Sequence, residues 1–142
     1  MGPVVKRYED WPRRMEAAVD AAQSRPFVWG HWDCCLFVAE VTRAMTGEDI
    51  AALYRGKYKS RRGAYALLKR IVGGGVHEAA VRAFGAPLAY PLTARRGDAV
   101  LLDTPDGDAL GICAGPRILV PRPGEGLAAF PIAAARAAWR VG

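Results

Sequence analysis

Asp98 divides this chain by period. Before it, apolar residues recur at helical spacing in segments ended by glycine or proline; after it, short runs of Val, Leu and Ile are bounded by Asp-Gly, Gly-Pro and Pro-Gly pairs, which read as strands and turns. Asp10, Pro12 and the spacing Trp11, Met15, Ala18, Val19, Ala22 predict a first helix that stops before Pro26. A second helix is expected over Cys34 to Thr46, on the recurrence Phe37, Val38, Val41, Ala44, Met45, with Asp33 as its cap and Gly47 as its left-handed exit. Ile50 to Lys59 reads as a loop or a short helical turn. Gly63 to Ile71 reads as a third helix ended by Gly73-Gly74-Gly75, and Val76 to Phe84 as a fourth ended by Gly85 and Pro87. Strands are expected at Ala99 to Asp103, Ala109 to Ala114, Arg117 to Val120, Leu127 to Phe130 and Ala138 to Val141, with Pro131 to Ala137 either a short helix or a loop. Helices followed by an antiparallel sheet make an α+β domain. At 142 residues the chain is in the usual range for one domain, here residues 1–142, and it contains no repeat or linker that would divide it. A chain of this size buries about two-thirds of its unfolded surface, enough for a core without staples.

Chemistry concentrates in Pro26 to Val38, PFVWGHWDCCLFV, where a cysteine pair follows an aspartate at the start of an apolar helix. The unpaired amides and positive dipole end of a helix favour thiolate over thiol at its first residue, which activates a nucleophile at Cys34. Cys35 is rotated by about 100° on the same turn, so only one of the pair is expected on the chemically relevant side. Against this stands the packing role common to free cysteines. Three cysteines are an odd number without zinc spacing, which points to reduced thiols, a cytosolic origin and no metal or other cofactor.

The neighbourhood of the pair, an aromatic-Trp-Gly approach, two spacers, Asp-Cys and an apolar helix, resembles the nucleophile segment of the NlpC-type cell-wall endopeptidases. These are papain-like cysteine peptidases that cut peptidoglycan stem peptides. Their Asp-Cys-Ser-Gly-Leu-Val is matched here by Asp33-Cys34-Cys35-Leu36-Phe37-Val38, so Cys34 takes the nucleophile's position while Cys35 and Leu36 replace Ser and Gly. Arg96-Gly97-Asp98-Ala99-Val100-Leu101-Leu102 is similar to the Gly-Asp-strand element of that family, and Ala109-Leu110-Gly111-Ile112-Cys113-Ala114-Gly115 to its His-Val-Gly-Ile-x-x-Gly strand. The frame is kept, but Ala109 stands where the resemblance implies the catalytic histidine, and Val120 or Pro121 where it implies the group that orients it. A thiolate without a partnered imidazole lacks the acid that must protonate the leaving amine. The resemblance therefore implies the papain-like fold, with N-terminal helices packed on a C-terminal antiparallel sheet, and argues against the ordinary reaction.

Phe27-Val28-Trp29-Gly30, Thr46-Gly47-Glu48-Asp49, Arg55-Gly56-Lys57-Tyr58 and Ala138-Trp139-Arg140-Val141, in that order, resemble a narrower group: small tail proteins of bacteriophages and gene-transfer particles that carry a degenerate form of this domain. That resemblance implies a tail-tip component made in the bacterial cytoplasm and carried in the virion, with other tail proteins and peptidoglycan as its partners.

Two readings of different class follow. In the first, the chain is a structural or binding protein that has lost its general base. In the second, it is a working cysteine hydrolase in which His31, three residues before Cys34, or His77, at the start of the fourth helix, serves as a displaced base. Asp108, beside Ala109, reads as a turn residue after Gly107 and is a poor proton acceptor at neutral pH. The net charge of +6 favours acidic partners, and Tyr54, Arg55, Lys57, Tyr58 and Arg62 are the candidate partner-binding residues, within a patch that also holds Lys59, Arg61 and Tyr65. Basic and aromatic residues together can track a phosphate backbone, but no compact nucleic-acid motif accompanies them, so a nucleic-acid module ranks last. No apolar run is long enough for a membrane span, and the opening MGPVVKRYEDWPRRM lacks the apolar region of a secretory signal.

Overall fold

The computed structural model describes residues 6–142. Met1 to Val5, part of the opening stretch just discussed, lie outside the described residues. Four helices, α1 (Trp11–Ala22), α2 (Cys34–Thr46), α3 (Arg61–Val72) and α4 (Val76–Phe84), precede five strands, β1 (Ala99–Thr104), β2 (Gly107–Cys113), β3 (Arg117–Arg122), β4 (Gly126–Pro131) and β5 (Ala135–Trp139). The strands form one antiparallel sheet in the order β4-β3-β2-β1-β5. The α+β expectation therefore holds.

The continuous apolar run of β1 is explained by cover on both faces. Ala99 and Leu101 point into the main core with Leu110, Ile112 and Trp139, beneath Phe37, Val41 and Met45 of α2 and Val76, Ala80 and Phe84 of α4. Val100 and Leu102 point the other way, into a second cluster with Ala109, Cys113, Ile118, Val120 and Ala138. Leu88 and Ala94, from the segment joining α4 to β1, pack on that second cluster, and the Leu88 amide donates to the Ala138 carbonyl at 2.7 Å. An antiparallel sheet usually leaves one face to water; here the crossing segment covers it.

The strand boundaries differ from expectation where side chains carry little strand signal. β2 begins two residues early, so Asp108 is a strand residue paired with Asp103 rather than a turn residue. β5 starts at Ala135 and ends at Trp139, whereas the sequence pattern suggested Ala138 to Val141. Alanines have low strand propensity, and this stretch is held by its partner instead. Ala135 pairs with Leu102 and Ala137 with Leu101, leaving Arg136 as an extra residue that reaches Asp103 at 2.7 Å and Asp108 at 2.9 Å. The open stretch before it resolves into a short 3-10 turn at Ile132–Ala134, and a second such turn, unforeseen, occupies Pro91–Thr93.

Asp98 ties the two ends of the described chain together. Its fully buried carboxylate accepts from Arg7 Nη2 at 2.9 Å, Arg140 Nη1 at 2.8 Å, the Val141 amide at 3.0 Å and the Arg95 amide at 2.9 Å. Arg7 also donates to the carbonyls of Val141 and Arg96 and lies over the Trp11 ring. Four donors satisfy a charge that burial alone would make very costly.

Candidate functional site

The start of α2 is built by Asp33. Its extended backbone makes it the cap: Oδ1 accepts from the Leu36 amide at 3.1 Å, and Oδ2 accepts from the Gly30 amide at 3.2 Å and from the Tyr58 hydroxyl. Gly30 has φ +85°, and a β-carbon there would strike the Tyr58 carbonyl, so the Trp-Gly approach needs glycine. Gly30 also accepts from the Gly56 amide at 2.8 Å, and Val28 and Trp32 exchange backbone hydrogen bonds across the tight loop between them. The loop that presents the cysteines is thus laced to the turn at residues 56–58. Burial, reinforced by the Asp33 charge, pushes the Tyr58 phenol far above its usual range, so it remains a donor.

Cys34 and Cys35 open α2, and both line the same cavity of about 90 Å³. Its walls come from α3 and α4 on one side, including Tyr65, Leu68 and Ala80, and from β2 and β3 on the other, including Ala109, Leu110 and Val120. The two cysteines nonetheless meet different neighbours, with Cys34 alone on the Ala109 side. Their sulfurs are 3.9 Å apart, because the first turn packs between two apolar clusters and each thiol reaches one of them: Cys34 the cluster of Ala109, Cys35 the main core. The hydrogen bond to Cys34, with burial added, raises the Cys35 thiol well above its ordinary value. Cys113 is fully buried on β2, where burial also raises its thiol.

The cavity lining includes Ala109 and Pro121 but neither histidine. The His31 ring is exposed on the approach loop, whose amide donates to Val28. His77 sits at the start of α4 with its ring edge-on to Trp139, centroids 5.3 Å apart, and Nδ1 3.2 Å from Glu78. The carboxylates beside the cavity are occupied too: Asp108 by Arg136, and Asp106 by Arg122 at 3.0 Å. Among the described residues no group of three or more His, Cys, Asp or Glu side chains is placed to hold a metal ion, and no helix is long and apolar enough to cross a membrane.

The candidate partner-binding residues divide. Lys57 and Arg62 are exposed. Arg55 forms a two-point pair with Asp49, at 2.9 and 3.0 Å, which holds that carboxyl below its usual range. Tyr54 packs against the core and lines the cavity, and Tyr58 is committed to Asp33. Tyr65 likewise turns inward, with Arg61 over its ring. The tyrosines that interleave the charges are therefore engaged, at least in part, in packing within the chain. The anchoring role of Tyr58 has no local sequence signal, since its partner is 25 residues away.

The family model for a domain of unknown function, DUF6950, matches residues 6–141, and the chain belongs to that family. No curated protein matches the chain.

Proposed function

We propose that this DUF6950 chain is a degenerate NlpC-type, papain-like domain that serves as a component of a phage or phage-like tail tip, in tail structure or cell-wall engagement, without cleaving peptidoglycan. The observation that carries the reading is the pairing of Cys34 with Ala109. A thiol at the start of a helix and the strand position opposite it share one apolar cavity, and the strand position offers a methyl group where peptide cleavage needs a proton donor. Asp106 and Asp108 are held by arginines and do not substitute for it. What the site retains is a shaped apolar cavity beside a basic surface, which suits binding better than turnover.

The proposed partners are other tail proteins and peptidoglycan, and the proposed location is the virion. Quantitative mass spectrometry of purified particles from a producing strain tests the assignment. This chain is expected in intact tails at constant ratio to the other tail proteins, and its absence would overturn the tail assignment. Incubation of the purified chain with peptidoglycan tests the loss of activity. No soluble stem-peptide fragments are expected, whereas release that disappears in Cys34→Ala would establish a working hydrolase, and its loss in His31→Ala or His77→Ala as well would establish the displaced base.

A further inference from the structure

Size and lining restrict what can enter the cavity beside Cys34. It measures about 90 Å³ and is walled mainly by apolar side chains, among them Leu68, Ala80, Leu110 and Val120. Asp108 and Pro123, both exposed, mark where it opens. Each carboxylate and guanidinium in its lining already has a partner within the chain: Asp33 accepts from Leu36, Gly30 and Tyr58, Arg122 holds Asp106, and Arg136 holds Asp108. A charged group entering the cavity would shed its water without gaining a free counter-charge. An apolar cavity of about 150 Å³ takes benzene, so this smaller one suits an aliphatic group of valine or leucine size.

The adjoining surface narrows the choice further. Tyr58 and Tyr65 form part of the wall; exposed Lys57 and Lys59 flank the first, and Arg61 lies over the ring of the second with Arg62 beside it in sequence. None of these four cations lies within ion-pair distance of a carboxylate among the described residues. Arg61 and Arg62 also open α3, whose first turn carries no acid, so they add positive charge to the positive end of the helix. Like charges gathered there repel one another, and negative groups brought alongside relieve the repulsion.

We infer that the cavity receives one aliphatic side chain, of valine or leucine size, from an acidic segment of a partner protein, with Lys57, Lys59, Arg61 and Arg62 meeting the acidic residues on either side of it. The inference rests on the reading of this site as one that binds rather than cleaves, and it chooses between the two partners proposed there. A peptidoglycan stem peptide supplies carboxylates, but its apolar groups are mainly the methyls of alanine. Those leave most of the cavity unfilled and forfeit the contacts its walls could make. A protein segment supplies both parts at once. Its aliphatic residue fills the cavity, as a buried anchor does in an interface, and its acidic neighbours match the rim, which sets orientation and rejects basic partners.

The test is an NMR titration of the full, isotope-labelled chain at low ionic strength with a blocked peptide of glutamates around one central leucine. Saturable shifts are expected at the amides of Ala80, Leu110 and Val120. Replacing the leucine by alanine should weaken binding about tenfold. That comparison leaves the protein unaltered, so it does not depend on how a variant folds. Joint substitution Lys57→Glu and Arg62→Glu should weaken both peptides several-fold, a difference that added salt removes. Ala83→Leu, which fills the cavity from α4, should reduce the leucine peptide to the level of the alanine one. Equal binding of the two peptides, no saturable shift at the cavity, or stronger shifts there with a soluble stem peptide would each overturn the inference. So would shifts at the cavity on concentrating the chain alone, which would make a second copy the occupant. Failure of the tail assignment is read separately, from the proteins of purified particles, and retained cleavage from digestion of peptidoglycan.

Discussion

The hydroxyl of Tyr58 donates to the buried carboxylate of Asp33, so the residue that caps α2 is itself held by a turn 25 positions later. The presentation of Cys34 therefore depends on a residue outside the cysteine segment.

Tyr58→Phe should destabilise the chain by about 1–3 kcal/mol, the usual cost of leaving a buried acceptor short of a donor. Asp33→Ala should cost more, since it also removes the cap. Urea unfolding followed by tryptophan fluorescence measures both, and a Tyr58→Phe midpoint equal to that of the unaltered chain would contradict the linkage.

Gly30 and Gly56 adopt nearly the same left-handed backbone, at φ +85° and +76°, but differ in surroundings. At Gly56 a β-carbon meets nothing within 4 Å, so Gly56→Ala should cost only the backbone penalty, about 1–2 kcal/mol. Gly30→Ala adds a collision with the Tyr58 carbonyl, which should raise the loss by a further 1–3 kcal/mol or so. Thermal melts of the two variants should differ accordingly, and equal melting temperatures would count against the close approach at Gly30.

Asp98 predicts an asymmetry between its two arginines. Arg7 is 9% exposed and Arg140 35%. Arg7→Ala should cost about 3–5 kcal/mol, as the loss of a buried partner does, while Arg140→Ala should cost about 1 kcal/mol or less because water screens that pair. Denaturant titrations that ranked the two variants in the opposite order would refute the account.

Hydrogen bonds from Arg14 and Arg13 depress the carboxyl of Asp10 from 3.8 to about 2. A carboxyl with a lower folded value contributes stability above its unfolded value and loses it as pH falls through its folded one. The contribution of Asp10 should therefore be complete above about pH 4 and fade towards pH 2. An NMR titration of the Asp10 carboxyl should give a midpoint near 2, moving up towards 3.8 in Arg14→Gln. A midpoint unmoved by that substitution would exclude the assigned cause.

Most element positions were legible because they rest on local signals. The cap at Asp33, the glycine exits at Gly47 and Gly85, and the helical recurrence before each exit placed α2 and α4 at their observed limits. The strands rich in Val, Leu and Ile were found by composition. β5 was misplaced because its alanines take their register from Leu101 and Leu102, more than 30 residues earlier, and no short window holds that information. The site divided in the same way. The cysteine helix was readable, but the inward turn of Tyr54 and Tyr58 and the convergence of both thiols depend on packing between elements distant in sequence. Interleaved charge and aromatic residues look alike in sequence whether the tyrosines anchor a loop or meet a partner.

The strand order β4-β3-β2-β1-β5 places the last strand in sequence beside the first. During synthesis, β1 to β4 can pair as each emerges from the ribosome, but one side of β1 stays open until Ala135–Trp139 arrives. Through that interval the most apolar strand of the sheet presents unpaired amides and carbonyls, a template on which a second nascent chain could add. A copy clipped before residue 135 would keep the template permanently. Such fragments should self-associate while the full-length chain remains dispersed, so the final residues act as the chain's own protection against aggregation.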